Sequence, residues 1–120
     1  MKEKQSKHTD IMMPWGFLNH LEDCAPFSAD KLYSVPRLPQ APPEFWPQIC
    51  EALINKGAIA KKDLVVGKTY IGTCRNANEA VWIGECFQYE RTKFGYTFLE
   101  KINHFEDDNG FDLFIPIKEI

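Results

Sequence analysis

The sequence predicts a mainly β protein of the α+β type, with a small, partly closed antiparallel barrel of about five strands and one N-terminal helix. From about residue 61 onward, polar and apolar residues alternate in short stretches, with the period of two that strands require. Seven of the eight prolines precede residue 48, which leaves the second half free to form a regular sheet. Five short strands are too few for a sandwich and are typical of a bent, SH3-like barrel.

The length and composition indicate one soluble globular domain. The chain has 120 residues, of which 44% are hydrophobic and 26% charged, close to the average for folded domains. The net charge of −3 argues against a protein that mainly coats nucleic acid, because such binding depends on an excess of Lys and Arg. No stretch approaches the run of about 20 apolar residues that crosses a membrane. We therefore expect a cytoplasmic protein that has no membrane partner.

The four cysteines do not suggest a zinc site. They are Cys24, Cys50, Cys74 and Cys86, and none of them has the close C-x-x-C spacing that structural zinc sites normally use. In a reducing cytoplasm we expect them to be small buried hydrophobic residues. The two predicted strands that carry Cys74 and Cys86 could lie side by side in the sheet, so the sequence leaves a disulfide between them open. We expect no cofactor.

The first part of the chain divides into two segments before the folded core. Residues 1–10 are charged and lack periodicity, which predicts a disordered tail. Residues 11–43 form an arm rich in proline and aromatic residues, with a short helical turn expected near Trp15 and Phe17. The arm either packs over its own barrel or presents these aromatic side chains to a partner, since such anchors are common in interfaces.

Residues 44–56 predict the helix. Pro47 is tolerated because it lies in the first turn, where a missing N–H costs no helical hydrogen bond. Gly57 can adopt the left-handed conformation that ends a helix. The apolar residues recur at spacings of three and four, which predicts one buried stripe; they are Trp46, Ile49, Cys50 and Leu53.

The remaining residues predict five strands. The dipeptide Asn109-Gly110 is typical of a type I′ hairpin turn and should join the last two strands. Pro116 cannot donate a hydrogen bond to a neighbouring strand, so the last strand should end there or lie on an edge. The predicted strands are Lys68–Asn76, Glu79–Ile83, Cys86–Phe94, Tyr96–Phe105 and Phe111–Ile117.

Four short motifs in residues 63–120 resemble those of small uncharacterised proteins of bacteriophages and prophages. They are Arg75-Asn76-Ala77, Trp82-x-Gly84, Tyr89-x-Arg91-x-Lys93-Phe94-Gly95 and Glu106-Asp107-Asp108. The resemblance implies a phage or prophage origin, and with it a protein that binds a component of the bacterial host, for example as an inhibitor of host defence. It assigns no activity and no site residues.

Basic and aromatic residues alternate along the predicted strands. The basic residues Arg75, Arg91 and Lys93 accompany the aromatic residues Trp82, Tyr89, Phe94 and Tyr96. This combination can bind nucleotides or single-stranded nucleic acid by stacking on bases and contacting phosphates. The same aromatic residues would equally serve as core, and the basic residues as partners of acidic residues on adjacent strands.

Acidic residues gather at the predicted last turn. Glu106, Asp107 and Asp108 would be a weak site for Ca²⁺ or Mg²⁺, although the spacing does not follow a calcium-binding loop. They would otherwise be a solvated hairpin tip that discourages edge pairing. His104 lies next to them, where the carboxylates would raise its pKa.

The sequence contains no nucleophile elbow and no phosphate-binding glycine loop. We therefore expect a non-enzymatic protein that acts by contact with a host protein. The alternatives are a nucleotide or single-stranded nucleic-acid binding module and a divalent-metal-binding domain. The candidate binding residues are Trp15, Phe17, Arg75, Trp82, Tyr89, Arg91, Lys93 and His104.

Overall fold

A computed structural model describes residues 14–107 and 112–120. Five strands form a closed barrel in the order β1-β2-β3-β4-β5. The predicted fold class is confirmed: the protein is mainly β, and its barrel and helices are compatible with a small SH3-like barrel. The strands are β1 (Thr69–Thr73), β2 (Glu79–Trp82), β3 (Phe87–Lys93), β4 (Tyr96–His104) and β5 (Leu113–Glu119).

The last strand closes the barrel in a way that the sequence did not predict. Strands β1 to β4 pair with their neighbours in antiparallel fashion, and β5 pairs antiparallel with β1. However, β5 runs parallel to β4, with Asn103 opposite Leu113. The two strands therefore do not form the predicted hairpin, because β5 must run opposite to β1 to close the barrel. Asn109-Gly110 itself lies outside the described residues.

The protein has two buried clusters, and β5 separates them. The barrel interior contains Tyr70, Trp82, Phe87 and Phe114. The second cluster lies between the barrel and the helices and includes Leu113 and Ile115. Since both faces of β5 are covered, its residues are buried consecutively instead of alternating with exposed ones.

Pro116 is accommodated inside β5, contrary to the prediction that the strand would end there or lie on an edge. It lies opposite Gly72, where the β1–β5 register shifts between Ile71 and Gly72. The ladder is irregular at this point, so the missing N–H is tolerated. The carbonyl of Pro116 accepts a hydrogen bond from Ile59 N at 2.8 Å, which attaches the segment after the helices to β5.

Two α-helices pack against each other and against the barrel. Helix α2 (Trp46–Asn55) agrees with the predicted helix, and its buried residues are the predicted stripe. The indole Nε1–H of Trp46 donates a hydrogen bond to the carbonyl oxygen of Phe105 at 2.8 Å, which fixes α2 to the end of β4. Short 3-10 segments span Ala29–Ser34, Pro43–Phe45 and Lys61–Asp63.

The arm packs on its own chain. Instead of one short turn it forms helix α1 (Pro14–Asp23), and Phe17 and Leu21 from this helix are buried in the cluster with α2. Phe27, Val35 and Leu38 extend the same cluster. The predicted tail, residues 1–10, lies outside the described residues.

Two further expectations can be compared with the structure. All four cysteines are free, so Cys74 and Cys86 do not form a disulfide. In the described ranges, no helix has both the length and the apolar character needed to cross a membrane.

Candidate functional site

The β3–β4 hairpin extends beyond the barrel wall. Among the described residues, β3 pairs with β2 through Phe87 and Gln88, whereas its pairing with β4 continues to Lys93. On the other side, β4 pairs with β5 through Asn103 and His104. The outer part of the hairpin is therefore a two-stranded ribbon, and residues 92–99 are exposed on both faces.

A tight turn carrying an exposed aromatic residue forms the tip of this ribbon. Phe94 and Gly95 both have positive φ angles, of 54° and 82°. Positive φ at both central positions is the requirement of a type I′ turn, whose twist matches that of the strands. Phe94 is 88% exposed, so its ring contributes little to the core. A non-glycine residue in this region of φ costs backbone energy, which marks the position as unusual.

One side of the ribbon forms a continuous surface that we call the hairpin face. The register places Tyr89 opposite Glu100, Arg91 opposite Phe98 and Lys93 opposite Tyr96. Because successive side chains of a strand point to opposite sides, these six lie on one face and continue the line of Phe87 from the barrel interior. Tyr96 is 76% exposed and Phe98 38% exposed. The hairpin face thus changes from buried at its base to exposed at its tip.

Glu100 is the polar centre of the hairpin face. Its carboxylate accepts hydrogen bonds from the Tyr89 hydroxyl at 2.8 Å and from Arg91 Nη1 at 3.1 Å. These hydrogen bonds, first that of Tyr89 and then that of Arg91, lower the pKa of Glu100. Burial, followed by the bond to Glu100, raises the pKa of Tyr89. At neutral pH the carboxylate is therefore ionised and the phenol protonated, so the charge of Arg91 is locally compensated.

A groove with a volume of about 410 Å³ lies at the base of the hairpin face. Its residues carry both signs of charge, and Arg75 Nε lies 3.6 Å from Asp112 Oδ1. Such a mixed surface suits amide and hydroxyl groups better than a string of phosphates. The lining includes Arg75, Asn76, Tyr89, Arg91, Glu100 and Asp112.

The structure brings together four of the predicted site residues. Arg75, Tyr89 and Arg91 line the groove, and Lys93 lies further along the same ribbon. Lys93 Nζ is 5.5 Å from the centre of the Phe94 ring, within the range of a cation–π contact. This part of the basic and aromatic pattern forms one surface.

The other four predicted residues lie elsewhere. Trp82 is 4% exposed in the barrel interior, and Phe17 is buried beneath the helices. His104 is fully buried. These three side chains offer no surface to a partner. Trp15 is 58% exposed, but it lies on α1 and not on the hairpin.

Sequence reasoning found only some of the exposed residues of the hairpin. Phe94 and Tyr96 belong to the predicted basic and aromatic pattern, but neither Phe98 nor Leu99 was singled out for binding, although Leu99 is 60% exposed. A usable signal was present in Lys93-Phe94-Gly95-Tyr96, where a two-residue turn should carry Asn or Asp before Gly. An aromatic residue in that position is unfavourable for the turn and therefore suggests another role.

The acidic turn is engaged in internal contacts. Glu106 Oε2 accepts a hydrogen bond from Lys61 N at 2.6 Å, and Asp107 Oδ1 lies 2.6 Å from Lys61 Nζ. Asp108 lies outside the described residues. Within the ranges that the structure describes, no group of three or more His, Cys, Asp or Glu side chains is arranged to hold a metal ion.

The thiols of the buried Cys50 and the half-buried Cys74 are not activated in this structure. Burial, with a smaller contribution from Glu106, raises the pKa of Cys50 to about 12. Burial also raises the pKa of Cys74. Both thiols are therefore protonated at neutral pH, and a protonated thiol is a poor nucleophile.

The chain matches no protein-family model, and neither curated proteins nor solved structures gave a significant match. The candidate function therefore rests on the geometry of the hairpin and of the groove at its base.

Proposed function

We propose that this protein is a non-enzymatic binding protein that contacts another protein through the hairpin face and the tip of the β3–β4 hairpin. The observation that carries the proposal is the exposure of Phe94, Tyr96 and Phe98 on a ribbon that projects from a closed barrel. Large apolar side chains gathered on one projecting element are characteristic of interaction sites in proteins. Aromatic anchors of this kind also supply most of the energy in many interfaces.

The charge distribution favours a protein partner over a phosphate-rich one. Arg91 is paired with Glu100, and Arg75 faces Asp112. These acidic groups would repel phosphates that approach the same cations. The same acidic groups are compatible with a protein surface that carries both charges, because its backbone and side-chain donors and acceptors can replace the present contacts. The groove at the base offers space for one such side chain or for a turn of the partner.

The resemblance of residues 63–120 to phage and prophage proteins makes a bacterial host protein the first partner to test. On this proposal the chain acts in the bacterial cytoplasm and blocks or redirects a host component by binding it. The closed barrel supplies a rigid base for the contact, since its interior is filled with buried side chains.

A second candidate function is binding of a nucleotide or single-stranded nucleic acid. The observation in its favour is the alternation of Arg91 and Lys93 with Tyr96 and Phe98 on one exposed face. Exposed rings can stack on bases while the neighbouring cations contact phosphates. Binding of this kind weakens steeply with salt. Fluorescence anisotropy with a labelled oligonucleotide at several salt concentrations tests it directly.

The experiment for a protein partner is affinity capture from bacterial lysate with the full chain, followed by binding of the purified captured protein. The variant Tyr96→Ser removes an anchor from the hairpin face. The matched control is Tyr33→Ser, because Tyr33 is 86% exposed and lies outside the hairpin. Calorimetry should show binding to the wild type and to Tyr33→Ser, and a loss of about tenfold or more for Tyr96→Ser.

Two results would count against the proposal. Equal binding by Tyr96→Ser and the wild type would place the contact elsewhere on the molecule. Salt-sensitive binding of an oligonucleotide that is lost in Tyr96→Ser, with no protein captured, would instead assign the hairpin face to nucleic acid.

A further inference from the structure

Among the described residues, the outer edge of β4 has no pairing partner along most of its length. In the described parts of the chain, β4 pairs with β5 only through Asn103 and His104, and residues 96–102 pair only with β3. In an antiparallel pair, alternate residues direct their N–H and C=O groups toward the partner strand and the others direct them away. A two-residue turn makes Lys93 and Tyr96 a hydrogen-bonded pair. Thr97, Leu99 and Lys101 therefore direct their backbone groups outward.

This edge has little protection against pairing at its centre. Natural edge strands are kept short or bent, or carry proline and charged residues, lysine above all. The free part of β4 contains no proline, its charged residues Glu100 and Lys101 lie at the end nearer the barrel, and its central residue is the exposed Leu99. By contrast, the free edge of β3 carries Glu90 at the corresponding position, directly opposite Leu99 on the ribbon. The β4 edge is thus the more favourable of the two for adding another strand.

We infer that two copies of this chain pair antiparallel through their β4 edges and join the two hairpins into one four-stranded sheet. The inference concerns the backbone edge and goes beyond the proposed contact through the side chains of the hairpin face. The occupant is a second copy because the edge is complementary to itself. A different protein that added one extended strand to this edge would have to match it with an unrelated sequence.

The complementarity follows from the register. Outward-facing residues must pair with outward-facing residues, and the largest overlap places Leu99 opposite Leu99 of the second copy and Thr97 opposite Lys101. On the other side of the new sheet, Phe98 lies opposite Glu100. In this register no two like charges lie opposite each other. If the pairing of the two β4 strands were shifted by one hydrogen-bonding step toward the barrel, the two Glu100 carboxylates would lie opposite each other. Pairing over these residues forms about six new hydrogen bonds.

The same contact on both copies makes this a closed dimer. An interface that uses one patch on both subunits is related by a twofold axis and cannot extend into a filament. Leu99 lies on that axis. The two hairpin faces become continuous across the dimer, which doubles the aromatic surface without adding residues.

Sedimentation equilibrium of the full chain at micromolar concentrations tests the inference. We expect a reversible monomer–dimer equilibrium for the wild type. Leu99→Lys places two ammonium groups opposite each other at the axis and should weaken dimerisation by about tenfold or more. The matched control is Val66→Lys, because Val66 is exposed to a similar degree, at 65%, and lies outside the hairpin. This control should dimerise like the wild type. Circular dichroism verifies that both variants are folded.

Cross-linking provides a second readout that depends on the register. Cα atoms of a hydrogen-bonded antiparallel pair lie about 5.5 Å apart, which a disulfide can span. Leu99→Cys should therefore give a covalent dimer under mild oxidation, while Val66→Cys and the wild type with its native cysteines should not.

Three results would overturn the inference. The first is a wild type that is monomeric throughout the concentration range. The second is a dimer whose association is unchanged in Leu99→Lys. The third is sedimentation as an open series of larger species, which would indicate head-to-tail pairing between the edges of β4 and β3.

Discussion

The imidazole of His104 donates a hydrogen bond from Nε2 to the carbonyl oxygen of Ile59 at 2.9 Å. This assignment follows from the other ring nitrogen, because Nδ1 accepts a hydrogen bond from Glu106 N at 3.0 Å and so carries no proton. The ring is fully buried and lies 4.2 Å from the Phe105 ring, measured between centroids. His104 therefore joins the end of β4 to the segment that follows α2, in its neutral form.

This arrangement predicts that mild acid destabilises the fold. Burial lowers the pKa of His104, and this outweighs the opposing effects of the bond to Ile59 and of the carboxylates of Glu106 and Asp107. The unfolded chain then binds a proton that the folded chain does not, so the free energy of unfolding decreases as the pH falls below about 6.5. Urea denaturation between about pH 7 and pH 5.5 should show this decrease.

The variant His104→Asn separates this effect from general acid sensitivity. Asn can still donate a hydrogen bond but does not titrate. We expect the free energy of unfolding at neutral pH to fall by about 1–3 kcal/mol, since buried hydrogen bonds are disturbed. The remaining decrease between neutral and mildly acidic pH should be smaller than in the wild type. If the two proteins lose stability equally over that range, His104 is not the titrating group.

Gly72 is the second position where the structure predicts a large effect. A Cβ atom at this residue would overlap the carbonyl oxygen of Ile115 and lie 2.8 Å from the ring of Phe114. Both neighbours are buried, so they cannot move away without disturbing the closure of the barrel. Gly72→Ala should reduce the free energy of unfolding by about 2–3 kcal/mol in urea denaturation.

The control for this substitution is Gly16→Ala. Gly16 lies in α1, and apart from its chain neighbours and the backbone of its own helix, no atom is within 4 Å of a Cβ built there. Alanine is the better helix former, so this variant should be as stable as the wild type or up to about 1 kcal/mol more stable. If Gly72→Ala loses no more stability than Gly16→Ala, the contact between β1 and β5 at Gly72 has room for a methyl group.

The positions of β1 to β4 were predictable from the sequence because one face of each of these strands lines the barrel interior. Predicted and observed limits agree within three residues for β1 to β4, and Phe87 and Tyr89 are buried as their alternation indicates. The pairing of β5 was not predictable, because its apolar residues are used on both faces. A strand that lies between two buried clusters is apolar on both faces, so its sequence shows no alternation that would indicate which strands pair with it.

Only part of the candidate site was predictable from the sequence, and the reason is the small size of the barrel. Tyr89 and Arg91 both reach Glu100 because the register of β3 and β4 follows from the turn at Phe94-Gly95. Arg75 comes from the segment after β1 and joins them at the groove. The sequence could not show that the ribbon extends beyond the barrel and exposes Tyr96, or that Trp82 enters the barrel interior. In a barrel this small, the interior accepts a few rings, and which rings enter is determined by the closure of the sheet.

Helix α1 should be a structural part of the fold. Leu21 is 1% exposed and belongs to the cluster shared with α2. Leu21→Ala should therefore lower the free energy of unfolding by about 2–4 kcal/mol, because a buried leucine leaves a cavity. Trp15→Ala, on the exposed side of the same helix, should change it by less than about 1 kcal/mol. Thermal or urea denaturation of the two variants measures both values. Similar small effects of both substitutions would show that α1 detaches readily from the core.

Phe94 gives the sharpest test of whether the hairpin tip serves binding or folding. Its positive φ is unfavourable for phenylalanine, and asparagine is the residue that type I′ turns prefer there. Phe94→Asn should therefore raise the free energy of unfolding by about 0.5–1 kcal/mol, less any contribution from the contact between Lys93 and the ring. The same variant should lose affinity for the captured partner, since an exposed anchor is gone. Denaturation in urea and calorimetry of binding, made on one preparation, report the two effects separately. Higher stability with weaker binding assigns the ring to recognition, whereas lower stability with unchanged binding would assign it to the fold.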